Sequence, residues 1–362
     1  MLTLADRVMT TGLDRQGGDL RDIASDVLDL STCVNRYGPP PEVRAALRAF
    51  DPTTLRAHPF DAEAVFAAAY AAHCGTSRSE LVVGRGITEF LGIMSRLLPA
   101  RDCAVVTPDY TDTIRLFPRH LGPGADDRDS VGARLERVAT AMRHHRVAVL
   151  SNPNNPLGVH LPRAELAEIC RAHPGSTLVV DEAYADFTAD RELSLIGCDL
   201  DNVVVLQAPN KPFGIAGVRT GALWTRNEAM RSAVRAALPN WPISQVDSVL
   251  AAAALGASVW VRATLGRLLA TARRMEALLQ DRFGDDVVTE GVPVHYRFVH
   301  HDDPHRVREH LAAHGVAVRS FSGHDRGRIS GLRIVAPTDD EMDRLTHAVE
   351  RLPAELCRAE RR

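Results

Sequence analysis

Four short, continuous apolar runs constrain the fold of this chain more than any other feature of its sequence. They are rich in valine or leucine and cover residues 103–106, 147–150, 178–180 and 203–206. Such runs are typical of strands that are covered on both faces, as in parallel sheets. Helical stretches such as residues 163–173 lie between them. The pattern predicts an α/β fold of three layers, with a mostly parallel sheet between helices.

The C-terminal third of the chain has a different pattern. A long amphipathic helix is predicted first, and short extended and helical segments follow it. These are a helix at 245–283, an extended segment at 292–299, a helix at 304–314, strands at 316–319 and 331–335, and a helix at 339–352. We expect a large domain of residues 46–240 and a smaller α+β domain built from residues 1–45 and 241–362.

Charge and composition narrow the possible partners. The chain has 43 basic and 46 acidic side chains, so its formal net charge is only -3. No strong field therefore favours nucleic acid or an anionic membrane, and we expect a small-molecule partner. No apolar run approaches the roughly 18 residues of a spanning helix. Asp6 and Arg7 interrupt the apolar core that a signal peptide would need within residues 1–13, so a cytoplasmic location is predicted.

The six cysteines are scattered and form no C-x-x-C pair. This spacing argues against a zinc site or a disulfide framework, and reduced, mostly buried thiols with no bound metal are expected.

Lysine usage is the most unusual compositional feature. Of the 43 basic residues, Lys211 is the single lysine and all others are arginine. Arginine can replace lysine where only charge matters, but its guanidinium is effectively never deprotonated and cannot serve as a nucleophilic amine. Lys211 is therefore a candidate Schiff-base amine, although composition alone equally allows a lysine left by chance.

Polar motifs follow the predicted strands, at the sheet edge where open α/β proteins bind ligands. They are N-P-L-G at 155–158, D-E-A-Y at 181–184, and Lys211 with Arg219 eight residues later. Together and in this order, they make the chain resemble the fold-type I aminotransferases of class I and II. Within them it is most similar to the branch of histidinol-phosphate aminotransferases and threonine-phosphate decarboxylases, over about residues 28–338.

The resemblance implies pyridoxal 5'-phosphate as the cofactor and assigns roles around its ring. Lys211 would form the Schiff base with the cofactor aldehyde and then move the proton at the substrate carbon. Asp181 would keep the pyridine nitrogen protonated, Asn155 and Tyr184 would hydrogen-bond the ring oxygen, and Tyr110 would stack on the ring. Taken singly, these residues could also be a helix cap, turn chemistry and ordinary core aromatics.

The resemblance also implies how the phosphate and the substrate are held. The turn containing Gly86, Ile87 and Thr88 would bind the cofactor phosphate at a helix N-terminus, helped by Arg219. Asn210 and His58 complete the predicted cofactor set, with His58 supplied by the neighbouring subunit. Arg333 would bind the substrate α-carboxylate as a bidentate fork. Arg319 falls where these relatives hold phosphate-bearing substrates, and Asn35 belongs to the substrate-lid segment; a solvated arginine is the alternative reading for both Arg319 and Arg333.

Several positions depart from the family pattern. Ala208 and Asn210 stand where hydroxyl residues usually hold the cofactor phosphate, and Pro212 follows the lysine. His58 replaces a tyrosine, and Arg36 follows Asn35 where proline is customary. Because these changes lie near substrate and phosphate rather than near the reacting groups, they indicate kept chemistry and altered substrate choice.

The sequence therefore predicts a homodimeric enzyme with a shared active site that acts on an L-amino acid or a derivative of one. Amino transfer is the leading hypothesis. A decarboxylase, a C–S lyase or other elimination enzyme, or a decarboxylating deaminase of specialised metabolism is the alternative. A third hypothesis, a cofactor-binding regulatory protein, would not require Lys211, Asp181, Tyr184 and Arg219 all to be kept.

Overall fold

The computed structural model describes residues 27–124, 129–188, 193–323, 327 and 329–357. The sequence expectations for residues 1–13 lie outside this part of the chain. The helices in it are α1 Pro41–Ala49, α2 Ala62–Cys74, α3 Ile87–Leu97, α4 Thr111–Leu116, α5 Val131–His144, α6 Arg163–Ala172, α7 Glu228–Ala237, α8 Gln245–Gly256, α9 Ser258–Phe283, α10 Pro304–Ala313 and α11 Met342–Glu350. The strands are β1 Leu28–Asp29, β2 Leu81–Gly84, β3 Cys103–Val106, β4 His120–Leu121, β5 Val147–Ser151, β6 Thr177–Asp181, β7 Val203–Gln207, β8 Gly221–Trp224, β9 Val287–Val288, β10 Tyr296–His300, β11 Val316–Ala317, β12 Arg319–Phe321 and β13 Gly331–Val335.

A seven-stranded sheet in the order β2-β8-β7-β6-β5-β3-β4 forms the centre of the fold. The four predicted apolar runs are its strands β3, β5, β6 and β7, and these pair in parallel. Strand β8 runs antiparallel to β2 and β7. The predicted three-layer α/β class, with a mostly parallel sheet, is confirmed. Strand β8 escaped prediction because a four-residue run that begins with glycine carries a weak strand signal.

The register of the parallel strands brings the predicted motifs together. Ser151 at the end of β5 pairs with Asp181 at the end of β6, and Asp181 pairs with Leu206 in β7. All three strands therefore end at the same edge, and the segments that leave them begin side by side.

A four-stranded antiparallel sheet in the order β12-β13-β10-β9 lies in the C-terminal part of the chain, and β1 pairs in parallel with β11. The predicted single helix 245–283 is wrong: it is two helices, α8 and α9, bent by 73°. Ala257 between them has φ -81° and ψ 46°, which is not helical. Gly256 precedes it, and glycine weakens a helix interior by about 1 kcal/mol relative to alanine.

Other segments differ in smaller ways. The predicted strand 316–319 is divided between β11 and β12, and the closing helix begins with a 3-10 turn at Asp339–Glu341. The polar stretch 122–129 would be expected to form a surface loop, but Asp129 at its end is buried and accepts a hydrogen bond from Arg134 at 2.8 Å. A buried carboxylate needs such a partner, and the partner was not visible in the polar sequence.

Among the described helices, none alone has the length and apolar composition needed to cross a membrane, although the bent pair α8 and α9 would pass that test together. The domain division at residues 45/46 and 240/241 stays a prediction; the first of these boundaries falls inside helix α1.

Candidate active site

A cavity of about 280 Å³ lies at the carboxyl ends of the parallel strands. Twelve of the fourteen predicted site residues line it: Gly86, Ile87, Thr88, Tyr110, Asn155, Asp181, Tyr184, Asn210, Lys211, Arg219, Arg319 and Arg333. The motifs are up to 247 residues apart in sequence, from Gly86 to Arg333, so the fold itself assembles this set.

Lys211 lies on the loop that follows β7, with its amine directed at Tyr184. Its Nζ donates a hydrogen bond to the Tyr184 hydroxyl at 3.1 Å and lies 4.2 Å from the centroid of that ring. Burial lowers the pKa of the Lys211 amine, and the Asp181 carboxylate opposes this effect. A lowered pKa increases the fraction of neutral amine, which is the nucleophilic form.

Asp181 is the last residue of β6 and is 5% exposed. Its Oδ1 accepts a hydrogen bond from the backbone of Ala183 at 2.9 Å, which fixes the carboxylate at the strand end. Burial raises the pKa of Asp181, and the Lys211 ammonium lowers it. A cationic partner inside the cavity would therefore stabilise the ionised carboxylate.

Arg333 of β13 connects the C-terminal sheet to the central sheet. Its Nη1 donates to Asn155 Oδ1 at 2.6 Å, and its Nη2 donates to the carbonyl oxygen of Ser31 at 2.8 Å. The guanidinium is buried among these partners, so its position depends on both segments.

Tyr110 follows β3 and is held at both ends. Its backbone N–H donates to Asp109 Oδ1 at 2.7 Å, and its hydroxyl donates to Asp112 at 2.8 Å. Asp109 also accepts hydrogen bonds from the backbone N–H and the hydroxyl of Ser151, at 2.7 and 2.9 Å. The Ser151 hydroxyl in turn accepts from the backbone of Asn155 at 3.0 Å. Asp109 thus links the two loops that carry Tyr110 and Asn155.

The sequence did not identify this supporting group. Arg134 of α5 is fully buried and contacts Asp109 at 3.4 Å as well as Asp129. The pKa of Asp109 is raised to about 7, because the effect of burial is larger than the opposing effect of the Arg134 charge. In the sequence, only the position of Asp109 next to Tyr110 pointed to this supporting group. The spacing of Arg134 gave no such signal.

The turn before α3 has the geometry of an anion site. Gly86 has φ +89° and precedes the first helical residue, Ile87. A Cβ on Gly86 would meet the Arg219 guanidinium at 3.3 Å, and one on Gly221 would lie 2.6 Å from the Cα of Gly86. Free backbone N–H groups at a helix N-terminus and a nearby guanidinium together favour a phosphate.

Asn210 lines the same end of the cavity, but its amide nitrogen is engaged elsewhere. It donates to the carbonyl oxygen of Val218, and the backbone of Ile215 donates to Asn210 O at 2.8 Å. Both contacts close the loop that carries Lys211 and leads to Arg219. Ala208 lines the cavity beside Asn210, so neither of these two positions offers a side-chain hydroxyl to a phosphate.

The two remaining predicted residues lie outside the cavity of their own chain. Asn35 donates from its side chain to Pro212 O and to Thr264 Oγ1, both at 2.9 Å. His58 is exposed and stacks on Trp241, with 4.0 Å between ring centroids.

Cys33 is a further cavity residue that the sequence indicated only as a buried thiol. It is 3% exposed and lies beside Tyr184, and burial raises the pKa of its thiol. It is therefore a neutral thiol near the Lys211 amine at neutral pH.

The groups in this cavity fit pyridoxal phosphate. The amine would meet the cofactor aldehyde, and the buried carboxylate would meet the pyridine nitrogen. The aromatic ring would cover the ring face, and the helix N-terminus with a guanidinium would bind the phosphate.

Comparisons with known proteins agree with this fit. Residues 25–349 match the family described as aminotransferase class I and II. Histidinol-phosphate aminotransferase 2 of Rhizobium meliloti (strain 1021) is 31% identical, over 90% of this chain and 93% of that protein. A histidinol-phosphate aminotransferase from Sinorhizobium meliloti, solved in complex with pyridoxal-5'-phosphate, has the same fold with a TM-score of 0.76 at 22% identity, covering 90% of this chain and 92% of that one.

An L-threonine-O-3-phosphate decarboxylase from Porphyromonas gingivalis also shares the fold, with a TM-score of 0.73 at 17% identity over 90% of this chain and 98% of that one. The fold alone thus accommodates more than one reaction. The extent of the family match, together with the amine, the carboxylate and the anion-binding turn of the cavity, shows that this chain belongs to the aminotransferase class I and II family and is a pyridoxal-phosphate-dependent enzyme.

Proposed function

We propose that this enzyme transfers the amino group of an L-amino acid, or of an amine derived from one, to a 2-oxo acid or aldehyde. The observation that carries the proposal is the convergence of the Lys211 amine, the Asp181 carboxylate and the Arg333 guanidinium in one cavity. The family and the curated relative, itself named an aminotransferase, support the same reaction type.

Each residue has a definite task in this reaction. Bound pyridoxal phosphate supplies an aldehyde for the substrate amine and a protonated ring that withdraws electrons from the substrate Cα. Lys211, whose pKa is lowered by burial, would take the proton from the substrate Cα and hold it for return as the general base and acid of the reaction. The Asp181 carboxylate would hold the proton on the ring nitrogen of the bound cofactor. Asn155 and Tyr184 would donate hydrogen bonds to its ring oxygen.

Tyr110 would support the ring face, and Gly86, Ile87, Thr88 and Arg219 would hold the phosphate. Arg333 binds the substrate carboxylate with its planar fork. Arg319 lies in the same cavity and adds a second guanidinium on the substrate side. We therefore propose a substrate with a second anionic group, such as a phosphate or a side-chain carboxylate, which Arg319 contacts.

We also propose a homodimer. His58, Phe60 and Trp241 form an aromatic cluster on the surface, and Phe60 and Trp241 are 70% and 41% exposed. Exposed aromatic clusters of this kind are typical of protein interfaces. A second copy that covers the cluster would bring His58 to the neighbouring site, consistent with its position outside the cavity of its own chain.

The six free cysteines support a reducing, cytoplasmic location, which we likewise propose. The large domain of residues 46–240 and the smaller domain of residues 1–45 and 241–362 remain our proposed division.

Product analysis tests the reaction. Purified holoenzyme is mixed, without an amino acceptor, with each of the common amino acids and their phosphorylated derivatives. Amino transfer predicts that pyridoxamine phosphate accumulates in proportion to the 2-oxo acid or aldehyde released. Carbon dioxide, a thiol or ammonia released without pyridoxamine phosphate would contradict transfer and would support decarboxylation, elimination or deamination. Lys211→Arg keeps the positive charge but lacks the amine, so it is the matched control and should release neither set of products.

A further inference from the structure

Segment 31–39, between β1 and α1, forms one wall of the active-site cavity. Ser31, Thr32, Cys33 and Val34 all line it. The segment has no regular helix or strand of its own, so its position depends on the contacts that it makes with its surroundings.

On one side, segment 31–39 is bound to the lysine loop. The backbone of Asn35 donates to Lys211 O at 2.8 Å, and its side chain donates to Pro212 O at 2.9 Å. Gly214 has φ +66°, and a Cβ there would lie 2.7 Å from Gly38 O, so the two backbones are in direct contact. The lysine loop therefore anchors this side of the segment independently of its other contacts.

On the other side, the segment is held by an ion pair with the C-terminal part of the chain. Arg36 donates from Nε to Glu341 Oε2 at 2.8 Å and from Nη2 to Glu341 Oε1 at 2.6 Å. The two side chains are only 17% and 27% exposed. Arg36 Nη1 also contacts Asp29 O, which fixes the guanidinium from a third direction.

Glu341 is itself fixed in place. Its Oε2 accepts from the backbone of Thr338 at 2.9 Å, as part of a capping box at the start of the C-terminal helical segment. Thr338 lies three residues beyond β13, the strand that contains Arg333. The ion pair therefore ties segment 31–39 to the end of the strand that presents Arg333.

The segment also contacts Arg333 directly, because Ser31 O accepts from Arg333 Nη2 at 2.8 Å. The Arg333 contact is made at Ser31 and the ion pair at Arg36, five residues later. The two contacts therefore hold the cavity-lining part of the segment, residues 31–34, from both sides.

We propose that Arg36 and Glu341 are positioning residues whose ion pair holds segment 31–39 against Arg333 and so sets the affinity for the substrate carboxylate. Neither side chain lines the cavity or touches the reacting groups. The inference rests on the proposed function only in requiring a substrate carboxylate that Arg333 binds. It also gives a reason for arginine at position 36, where proline could form no such pair.

The test reverses the charges in the holoenzyme. Arg36→Glu and Glu341→Arg are made singly and together, and kcat and KM are measured with an amino acid that the wild-type enzyme converts, whichever products it gives. Each single variant should raise KM by roughly tenfold or more, as expected for a lost bidentate charge-assisted contact, and change kcat by less than about threefold. The double reversal should restore most of KM.

Cys33 gives a second readout that needs no substrate. Its alkylation by iodoacetamide, followed by peptide mass spectrometry, should accelerate in the single variants and slow again in the double reversal. Cys170 in α6 is fully buried and serves as the internal control. Since this readout is independent of turnover, failure of amino transfer would leave it intact, and the two proposals can fail separately.

Glu341→Gln is the milder variant if a charge reversal does not fold, and it should shift KM in the same direction. Asp343→Asn removes an exposed carboxylate from the same C-terminal helical segment without touching Arg36 and should leave KM and Cys33 alkylation near wild-type values. Unchanged KM and alkylation in Arg36→Glu, no recovery in the double reversal, or an equal effect of Asp343→Asn would overturn the proposal.

Discussion

At the scale of single residues, Asp109 shows how much of this site depends on groups that never reach the cavity. Its buried carboxylate accepts hydrogen bonds from Tyr110 and Ser151 and contacts the buried Arg134. Asp109→Asn would place an amide N–H₂ against one set of these donors and leave buried N–H or O–H groups without an acceptor, which costs roughly 1–3 kcal/mol, while Arg134 keeps its pair with Asp129. We expect lower stability toward urea and at least tenfold weaker binding of pyridoxal phosphate.

Equilibrium titration of the apoenzyme with cofactor measures that binding. Asp102→Asn is the control, since Asp102 lies just before β3, at the opposite end of the same strand. Equal effects of the two substitutions would show that Asp109 has no special link to the site.

His295 makes stability depend on pH. The ring is fully buried, stacks on Phe187 with 3.8 Å between centroids, and has no hydrogen-bond partner at either nitrogen among the described residues. Burial lowers its pKa well below the ordinary 6.5, and Arg333 and Arg297 act in the same direction. Below pH 6.5 the His295 imidazole therefore binds a proton in the unfolded chain but stays neutral in the folded chain. The free energy of unfolding thus keeps its full value above pH 6.5 with respect to this group, and it decreases as the pH falls below 6.5.

His295→Phe should remove this component and flatten the decline in urea midpoint between about pH 7 and pH 5. The exposed His347, changed to glutamine, is the control and should leave the slope unchanged. A wild-type slope in His295→Phe would mean that another group controls the acid sensitivity.

Residue spacing predicted the groups that enter the cavity better than the groups that support them. Lys211, Asp181 and Tyr184 follow strand ends, and parallel strands bring those ends to one edge. Arg134 and Cys33 could not be predicted in this way, because a buried polar residue takes its role from the loop that happens to pack against it. Asn210 and His58 were assigned by resemblance, and both have contacts that only the three-dimensional loops define.

At the scale of elements, the close approach of β8 to the turn before α3 leads to a prediction. A Cβ at Gly221 would lie 2.6 Å from the Cα of Gly86. Gly221→Ala must push the two backbones apart, and overpacking of this kind costs roughly 1–3 kcal/mol. Because the displaced turn is the proposed phosphate site, cofactor affinity should fall by about tenfold or more.

Fluorescence titration with pyridoxal phosphate measures the change. Gly217→Ala is the matched control, since a Cβ at Gly217 meets nothing within 4 Å. If Gly221→Ala bound the cofactor as well as Gly217→Ala does, the contact between β8 and the turn would not control the phosphate site.

Apolar runs predicted the central strands because burial on both faces requires valine and leucine along their whole length. The same reasoning failed where the signal was local. The break at Ala257 lies inside a continuous amphipathic pattern, and β8 begins with glycine, which weakens its strand signal. Such features are decided by packing between elements rather than by the pattern within one element.

At the scale of the whole molecule, the aromatic cluster of His58, Phe60 and Trp241 should hold two chains together. Phe60→Ser combined with Trp241→Ser removes two large exposed aromatic side chains, and an interface side chain that is a hot spot costs about 2 kcal/mol or more when it is truncated. We expect sedimentation to show a dimer for the wild type and a concentration-dependent shift toward monomer for the double variant. An unchanged sedimentation coefficient at micromolar concentration would place the interface elsewhere.

The single lysine gives the molecule an unusual chemical surface. Reagents that modify amines, such as N-hydroxysuccinimide esters, would find only Lys211 and the chain's amino terminus. Lys211 lines the cavity, so bound cofactor would shield it from such reagents. Amine labelling thus becomes a direct measure of how full the active site is, and the protein can be attached to an amine-reactive support by its terminus without blocking the catalytic group.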